Sequence, residues 1–339
     1  MTNKRVTKTT GAKIASGSNV ILKRVFEPTF GVAGDDIEQQ RFTTYTPSFT
    51  KNEATDPTVN GNRQDTETRF TTRELTFSLE AVLSHADQDP LIASAMWSNW
   101  SETDEDGERV ISIGSPAVMS SYTYEANQVD IDTQRRFKGL AVNSMTITSP
   151  LDGNTSVTYE MIGQEEIKVE TALGDATPYE NNQAYTHIGG EIDFAGIDDC
   201  IVQSFDMTIT NNAAADFCWG ERGAHSITEA NVEVTGNLTL FYINSVINDM
   251  YLDDVEGSLN VILKDENDNE FELDFQRIQA TGADNPFAAG QRVVTLPFRA
   301  LAAKDGSHDA LTIKARGYSD VPDPDPDALK LDAPEPPQE

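Results

Sequence analysis

The side chains best suited to acid–base or metal chemistry are four histidines, and they stand far apart in the sequence. His85, His187, His225 and His308 form no His-x-x-x-His pair, and none has a nucleophile motif beside it. A metal site or a general base usually requires such a pattern, because several groups must converge on one atom. We therefore predict that each histidine is an exposed or loop residue.

The two cysteines and the best candidate cation loop are equally poor sites. Cys200 and Cys218 are too few for a disulfide framework or a four-ligand metal site, so we predict two buried or half-buried thiols. The run Glu102–Gly107 imitates the start of an EF-hand loop, but Ile113 occupies the position that requires a bidentate glutamate. No nucleophile-elbow, Walker or dinucleotide motif occurs. The sequence predicts a protein without catalytic residues, metal or cofactor.

Length and charge restrict the class of protein further. The 339 residues suggest about two domains. Acidic residues outnumber basic residues by 56 to 25, and a surface with a net charge of −31 repels nucleic acid and anionic lipid. No apolar run approaches the ~20 residues of a membrane helix, and the basic start leads into no apolar signal segment. We predict neither specific DNA binding nor a membrane partner.

The two ends of the chain differ from the part between them. Residues 1–26 contain six basic residues and no acid, so residues 1–19 are interpreted either as a basic arm for an acidic neighbour or as a frayed terminus. Residues 319–339 contain six prolines and seven acids. Because proline and like charges oppose regular structure, we predict a disordered, acidic tail.

Between these ends the sequence predicts a mainly β protein. Apolar and polar residues alternate in several segments, as in Leu75-Thr76-Phe77-Ser78-Leu79, and turn residues bound the segments. Helical spacing occurs only in Ala86–Trp100 and Ile243–Asp253. The predicted strands are Val20–Leu22, Arg41–Thr50, Arg73–Val82, Arg109–Ile113, Ser120–Ala126, Phe137–Ser149, Thr155–Ile162, Cys200–Thr210, Glu233–Tyr242, Ser258–Lys264, Glu270–Ile278, Arg292–Ala300 and Leu311–Ala315.

The two predicted helices stand in matching contexts. In each half, a strand with asparagine at its end leads to a Gly-x-Arg loop containing Arg63 or Arg222, and then to a long strand and a helix. This order predicts a duplicated β-sandwich with one short helix in each repeat. We place the first repeat at residues 20–195, with a long loop at 165–190, and the second at residues 196–318.

Several of these segments resemble the tail tube proteins of long-tailed, siphovirus-like bacteriophages or related archaeal tailed viruses. Phe26-Glu27-Pro28-Thr29-Phe30-Gly31 is similar to a segment near the start of that family. The strand, Gly-x-Arg loop, strand and helix of Ile209–Asp253 and the strand Val293–Leu301 also resemble it. The resemblance extends over about residues 20–316, and the loop Glu165–Gly190 has no counterpart.

The resemblance implies a structural virion protein with an open-barrel fold. Such proteins close a continuous β-barrel around a lumen and stack as rings into a conduit for DNA. With two repeats in each chain, we expect a trimeric, pseudo-hexameric ring, with a true hexamer as the alternative. The expected partners are other copies, the tape measure protein and the terminator or baseplate proteins. The expected location is the virion tail, assembled in the host cytoplasm.

Two sets of basic residues are candidates for assembly contacts. Lys4, Arg5, Lys8 and Lys13 are expected to contact the next ring. Arg63 and Arg222 are expected at the seam between subunits, where a guanidinium can bind a carboxylate through two hydrogen bonds. The residues facing the lumen are expected to be acidic or neutral, so that DNA passes without being bound. Two other classes stay open: a β-sandwich adhesin or minor tail protein, and a carbohydrate-active enzyme.

Overall fold

The structure is a computed structural model, and it describes residues 15–55, 67–169, 171–194, 202–242, 252–282 and 292–317. Within these residues the chain is mainly β, as the sequence predicted. The helix α1 (Asp89–Met96) confirms the first predicted helix in a shorter form. The second predicted helix lies almost entirely outside the described residues, as do residues 1–14 and the acidic tail. No helix of the described part has the length and apolarity to cross a bilayer.

The strands of the first half follow the alternation seen in the sequence. In the long strand that contains Phe77, every second side chain from Leu75 to Ala81 is buried, and the side chains between them are exposed or partly exposed. The strands are β1 (Val20–Phe26), β2 (Ile37–Gln39), β3 (Thr44–Thr55), β4 (Thr68–Val82), β5 (Glu108–Ser112), β6 (Tyr122–Gln128), β7 (Thr133–Pro150), β8 (Ser156–Gly163) and β9 (Glu165–Ile167).

The described residues of the second half form nine further strands. They are β10 (Thr186–Phe194), β11 (Val202–Thr210), β12 (Ala214–Asp216), β13 (Ser226–Thr228), β14 (Glu233–Phe241), β15 (Glu256–Lys264), β16 (Glu270–Ala280), β17 (Val293–Ala300) and β18 (Thr312–Arg316). Two stretches of the predicted loop 165–190 are strands, β9 and the start of β10. The segment without regular strands is therefore confined to residues 168–185.

Strand pairing follows the same order in the two halves. The first half pairs β1–β6–β7–β8–β4–β3, and the second pairs β10–β15–β16–β17–β14–β11, with every pair antiparallel. The registers also correspond, since Leu75 of β4 lies opposite Phe49 of β3 and Val234 of β14 lies opposite Ile209 of β11. This order supports the predicted duplication, while the residue numbers of the two repeats remain a prediction.

The two halves share one core and one continuous sheet. Strand β11 pairs with β7 over the register Ser204↔Pro150 to Thr210↔Ser144, so a sheet β3-β4-β8-β7-β11-β14-β17 passes through both halves. We call these seven strands the central sheet. Aromatic rings fill the space behind it. Phe77 stacks on Tyr124 at a centroid distance of 5.3 Å in the first half, and Phe275 meets Phe298 edge-on at 5.7 Å in the second.

Helix α1 lies behind β7 and closes the core of the first half. Pro90 occupies its first turn, where a missing amide hydrogen has no consequence, and Trp97 ends it in a left-handed conformation with φ of 46°. The indole Nε1 of Trp97 donates to the main-chain oxygen of Val142 on β7. Leu91, Ile92 and Met96 are buried against the core, so packing fixes the helix in place.

The connection between the halves, residues 168–185, is held on the first half by polar contacts. Lys23 donates from Nζ to the main-chain oxygen of Gly174 at 2.7 Å, and Arg136 donates to that of Thr171 at 2.7 Å. The buried carboxylate of Glu125 accepts from Arg136 and from the amide of Leu173. These contacts hold the connection against the first half before the chain reaches β10.

Candidate functional site: the polar face and free edge of the central sheet

The side of the central sheet that faces away from the core is covered by hydroxyl groups. Because side chains alternate along a strand, each of the seven strands contributes every second residue to this side. We call it the polar face. Its members are Thr44, Thr46, Ser48, Thr50, Glu74, Thr76, Ser78, Glu80, Val82, Ser144, Thr146, Thr148, Pro150, Ser156, Thr158, Glu160, Ile162, Ser204, Asp206, Thr208, Thr210, Glu233, Thr235, Asn237, Thr239, Phe241, Val293, Thr295, Pro297 and Arg299.

Neighbouring strands are joined across the polar face by side-chain hydrogen bonds. Ser78 donates to Glu160 at 2.7 Å, and Asn237 donates to Asp206 at 2.8 Å. At the junction of the two halves, the hydroxyls of Thr146 and Thr208 lie 2.9 Å apart. Such cross-strand pairs fix the register of a sheet and leave few carboxylates without a donor.

The charge on the polar face is negative but small. It contains five carboxylates and one guanidinium, that of Arg299, which forms an ion pair with Glu233 at an N–O distance of 2.8 Å. Most of the 56 acidic residues of the chain therefore lie elsewhere. DNA phosphates that approach this face meet hydroxyl groups and repelling carboxylates. They find no free guanidinium or ammonium group on it.

Strand β3 is a free edge of the central sheet. Among the described residues it pairs with β4 alone, whereas its counterpart β11 pairs with β14 on one side and with β7 on the other. The difference appears in burial. Phe205, Met207 and Ile209 of β11 are at most 2% exposed, while the matching Tyr45 and Phe49 of β3 are only half-buried. An edge with an incompletely covered apolar side is a template for another strand.

The structure places Arg222 at the seam between the two halves of one chain. Its main-chain oxygen accepts from the amide of Arg73 on β4 at 2.8 Å, and the nearby Ala224 exchanges hydrogen bonds with Gln164. The Arg222 side chain is exposed, and its guanidinium forms no ion pair with another described residue. Arg63 lies outside the described residues, as do Lys4, Arg5, Lys8 and Lys13. The structural role predicted for these six side chains remains a prediction.

Glu27, whose role the sequence pattern did not indicate, stabilises a turn. Its buried carboxylate accepts from the amides of Gly31 at 2.7 Å and Gly139 at 2.9 Å, and from the hydroxyls of Ser121 and Thr123. Gly31 has φ of +75°, and a Cβ there would stand 2.3 Å from Oε1 of Gln164, so the turn requires glycine. Four donors on one carboxylate show that the motif Phe26–Gly31 has a structural role.

One of two predictions about reactive side chains was wrong. His85 lies in the turn between β4 and α1, in agreement with the prediction of an exposed or loop residue, and it is buried there with Nδ1 3.2 Å from the hydroxyl of Tyr185. The prediction for the cysteines was wrong for Cys218. Cys218 is an exposed free thiol, and its neighbour Trp219 is fully exposed on the loop between β12 and β13. Cys200 lies outside the described residues. These positions depend on tertiary packing, which no local pattern reports.

The loop that imitates an EF-hand is closed by its own main chain. The carboxylate of Asp104 accepts from the amides of Asp106 at 2.9 Å and Glu108 at 2.8 Å. It therefore forms a turn that leads into β5. The described part of the chain contains no group of three or more histidine, cysteine or acidic side chains able to hold a metal ion.

A continuous sheet with one hydroxyl-rich face and a free edge has the features of a structural β protein that assembles with copies of itself. The chain belongs to the phage tail tube protein family, whose model matches residues 17–300. No curated protein matches the sequence. The protein is therefore a structural component of a phage tail tube, as the resemblance of its motifs implied.

Proposed function

We propose that three copies of the chain close into a pseudo-hexameric ring, and that the rings stack into the tube through which DNA passes during genome delivery. The observation that carries this proposal is the difference between β3 and β11. The two strands have the same place in the pairing order and the same register, but only β11 is covered on both edges.

The contact between the two halves serves as the pattern for the contact between chains. Strand β11 pairs with residues 144–150 of β7, the part of β7 beyond its pairing with β6. By the matching strand order, β16 of the second half corresponds to β7 of the first. We propose that β3 pairs with a neighbouring copy at the end of β16, as β11 pairs with the end of β7. Pro47 removes one amide donor from the edge, which limits indiscriminate pairing.

From the same comparison we propose places for the two loop arginines. The loop of Arg222 crosses from the second half to β4 of the first half within one chain. By the matching order, the loop of Arg63 crosses from the first half to β14 of the neighbouring chain. Both arginines then lie at equivalent seams, where a bidentate pair with a carboxylate strengthens closure.

The polar face lines the lumen in this arrangement. Each chain provides the seven strands of the central sheet to the wall, so three chains give about twenty-one, more than the 16–18 strands that already leave an aqueous channel in porins. Hydroxyls and carboxylates on the wall leave a passing duplex without phosphate ligands. DNA therefore moves through the lumen without specific binding.

The remaining partners follow from the place of the tube in a virion tail. We propose that the basic arm, with Lys4, Arg5, Lys8 and Lys13, contacts an adjacent ring, since the rest of the chain is acidic. The tube surrounds a tape measure protein, ends at terminator or baseplate proteins, and assembles in the cytoplasm of the host of a siphovirus-like phage. A ring of six chains is the alternative stoichiometry.

One observation favours a second candidate function, a surface-binding adhesin or minor tail protein. Trp219 is fully exposed, and Phe217 beside it is 37% exposed. Exposed aromatic side chains on loops are typical of binding sites. An adhesin would bind a host surface and would not need to polymerise.

Electron microscopy and mass measurement of the purified chain distinguish these functions. Rings with the mass of three chains, alone or stacked, support the proposed function. Monomers that bind host cells support the adhesin. Rings with the mass of six chains would show that the stoichiometry is hexameric and not trimeric. Turnover of a polysaccharide would instead indicate the carbohydrate-active enzyme.

A matched pair of variants tests the edge itself. Phe49→Glu places a charge on the half-buried side of β3, where Arg73 lies 5.8 Å from the Phe49 ring, so the chain folds but does not close a ring. Ile209→Glu places the same charge at the covered counterpart and prevents folding. Rings of normal mass from Phe49→Glu would contradict closure through β3.

A further inference from the structure

Strand β10 is a second bare edge, and its counterpart in the first half is covered. Strand β1 pairs with β6 on one side, and β2 covers Lys23–Val25 on the other. Strand β10 pairs with β15 alone within the described residues. Its residue Ile188 is 72% exposed. The two halves therefore differ at this edge, although their strand order is the same.

The hairpin registers identify which residues of β1 and β10 correspond. We align the hairpins β6–β7 and β15–β16 at their last paired residues, Gln128 and Lys264. Tyr124 and Asn260 each lie four residues before these positions, so they correspond. Arg24 lies opposite Tyr124, and Asp193 lies opposite Asn260. The stretch Ile192–Phe194 thus corresponds to the stretch of β1 that β2 covers.

The covered stretch and the bare stretch differ in charge. The guanidinium of Arg24 is buried beside Tyr122 and forms an ion pair with Glu38 of the covering strand β2, at an N–O distance of 2.5 Å. In β10, Ile192 and Phe194 pack in the core, whereas Glu191 and Asp193 are exposed on the other side of the strand. Neither carboxylate forms an ion pair with another described residue. A covering strand that carries lysine or arginine beside these two carboxylates is therefore favoured.

We infer that the edge of β10 binds the basic N-terminal arm of a second copy of this chain. Residues 1–14 lie outside the described residues and contain Lys4, Arg5, Lys8 and Lys13 without any acid, which complements Glu191 and Asp193. Fourteen residues can span about 46 Å when extended. Strand addition supplies main-chain hydrogen bonds, and the charge pairs set the register.

The arm comes from a neighbouring ring, a step that rests on the proposed function. An arm that bound its own chain would give no contact between rings. A contact between different surfaces of successive copies repeats without closing, and such a contact produces a filament. The β10 edge is then a stacking site, separate from the β3 edge that closes a ring.

Charge reversal tests this site. Glu191→Lys/Asp193→Lys should leave rings intact and raise the protein concentration needed for tubes about tenfold or more. Lys4→Glu/Arg5→Glu/Lys8→Glu in the arm should raise the concentration needed for tubes in the same way. Combining the arm substitutions with the β10 substitutions should restore tube formation. The control, Glu102→Lys/Glu105→Lys, makes the same change in net charge at exposed positions away from β10 and should assemble normally.

A cysteine pair identifies the chain that supplies the arm. In a Cys200→Ser/Cys218→Ser background, Val6→Cys/Ile188→Cys should give disulfide-linked ladders of chains in tubes. Cross-links within single chains only, or none, would overturn the inference, as would normal tubes from Glu191→Lys/Asp193→Lys. Those outcomes leave ring formation in place, whereas a wild-type chain that forms no rings overturns the proposed function and this inference with it.

Discussion

The side chain of Asn211 donates a hydrogen bond of 2.9 Å to the main-chain oxygen of Ala95 in α1. Asn211 follows the last residue of β11 and is 2% exposed, so this bond joins the second half of the chain to the helix of the first half. The carbonyl it satisfies belongs to the last turn of a short helix, where carbonyls have no partner within the helix.

Replacing Asn211 should weaken this junction. We expect Asn211→Ala to lower the free energy of unfolding by about 1–3 kcal/mol, because a buried carbonyl loses its donor. Asn52 lies near the corresponding position of β3 and is exposed, so Asn52→Ala should change it by less than about 0.5 kcal/mol. Urea denaturation of both variants measures the difference, and equal values would show that Asn211 is not a junction residue.

The buried carboxylate of Glu27 should be among the most sensitive positions of the fold. Glu27→Ala leaves two amides and two hydroxyls without their acceptor, and we expect a loss of about 3 kcal/mol or more. Glu27→Gln keeps the shape but replaces one acceptor by a donor, so it should lie between Ala and wild type. Thermal denaturation orders the three proteins, and an unchanged midpoint for Glu27→Ala would refute this role.

The sequence predicted a strand well where burial of one face produces a regular alternation of apolar and polar residues. It failed where contacts with distant residues determine the position or burial of a segment. In β4 the alternation around Phe77 follows from one buried face, so the pattern alone is sufficient. Strand β10 was missed because its register shifts between Thr186 and Glu191, around Gly189 with φ of 76°, and the alternation is interrupted. The edge strands could not be identified, since strand order depends on pairing between distant segments.

The same distinction applies to individual side chains. His85 was predicted to be an exposed or loop residue and lies in a turn, but its burial depends on Tyr185, one hundred residues later in the chain. Cys218 was predicted to be buried or half-buried, yet its thiol is exposed beside the fully exposed Trp219. For the candidate site, the sequence could indicate the tube family, whereas the free edges of β3 and β10 among the described residues became visible only in the fold.

Buried tyrosines should make the fold sensitive to alkali. Burial raises the pKa of Tyr159 well above its ordinary value of 10.0, and its hydroxyl has no hydrogen-bond partner among the described residues. The folded state therefore holds its proton while the unfolded chain loses it above pH ~10. Stability from this group is fully present below pH ~10 and falls as the pH rises further, by up to about 1.4 kcal/mol per pH unit.

Tyr159→Phe should remove this dependence. At neutral pH the variant should be as stable as the wild type or slightly more so, because the unpaired hydroxyl is absent. Between pH 10 and about 11 its unfolding free energy should fall less steeply. Tyr179, which is 42% exposed, provides the control, since Tyr179→Phe should keep the wild-type slope. Parallel slopes for Tyr159→Phe and wild type would contradict the assignment.

Adding cations to the polar face should convert the tube from a passive channel into a DNA-binding one. Thr76, Glu80 and Thr235 are exposed on this face, and Thr76→Lys/Glu80→Lys/Thr235→Lys raises the charge of each chain by four. In the proposed trimeric ring, three chains then present these lysines to the lumen. DNA should be retained at low salt, and its affinity should fall with salt concentration with a slope of about −0.9 for each phosphate contacted.

The matched control for this prediction carries the same added charge at a different place. Glu102→Lys/Glu105→Lys also adds four charges to each chain, but at positions outside the polar face. DNA that is short enough to enter a tube should be protected from nuclease only by the first variant. If the control protects DNA equally, or if the first variant binds DNA without protecting it, the polar face does not line the lumen, because charge on an outer wall leaves the bound duplex accessible.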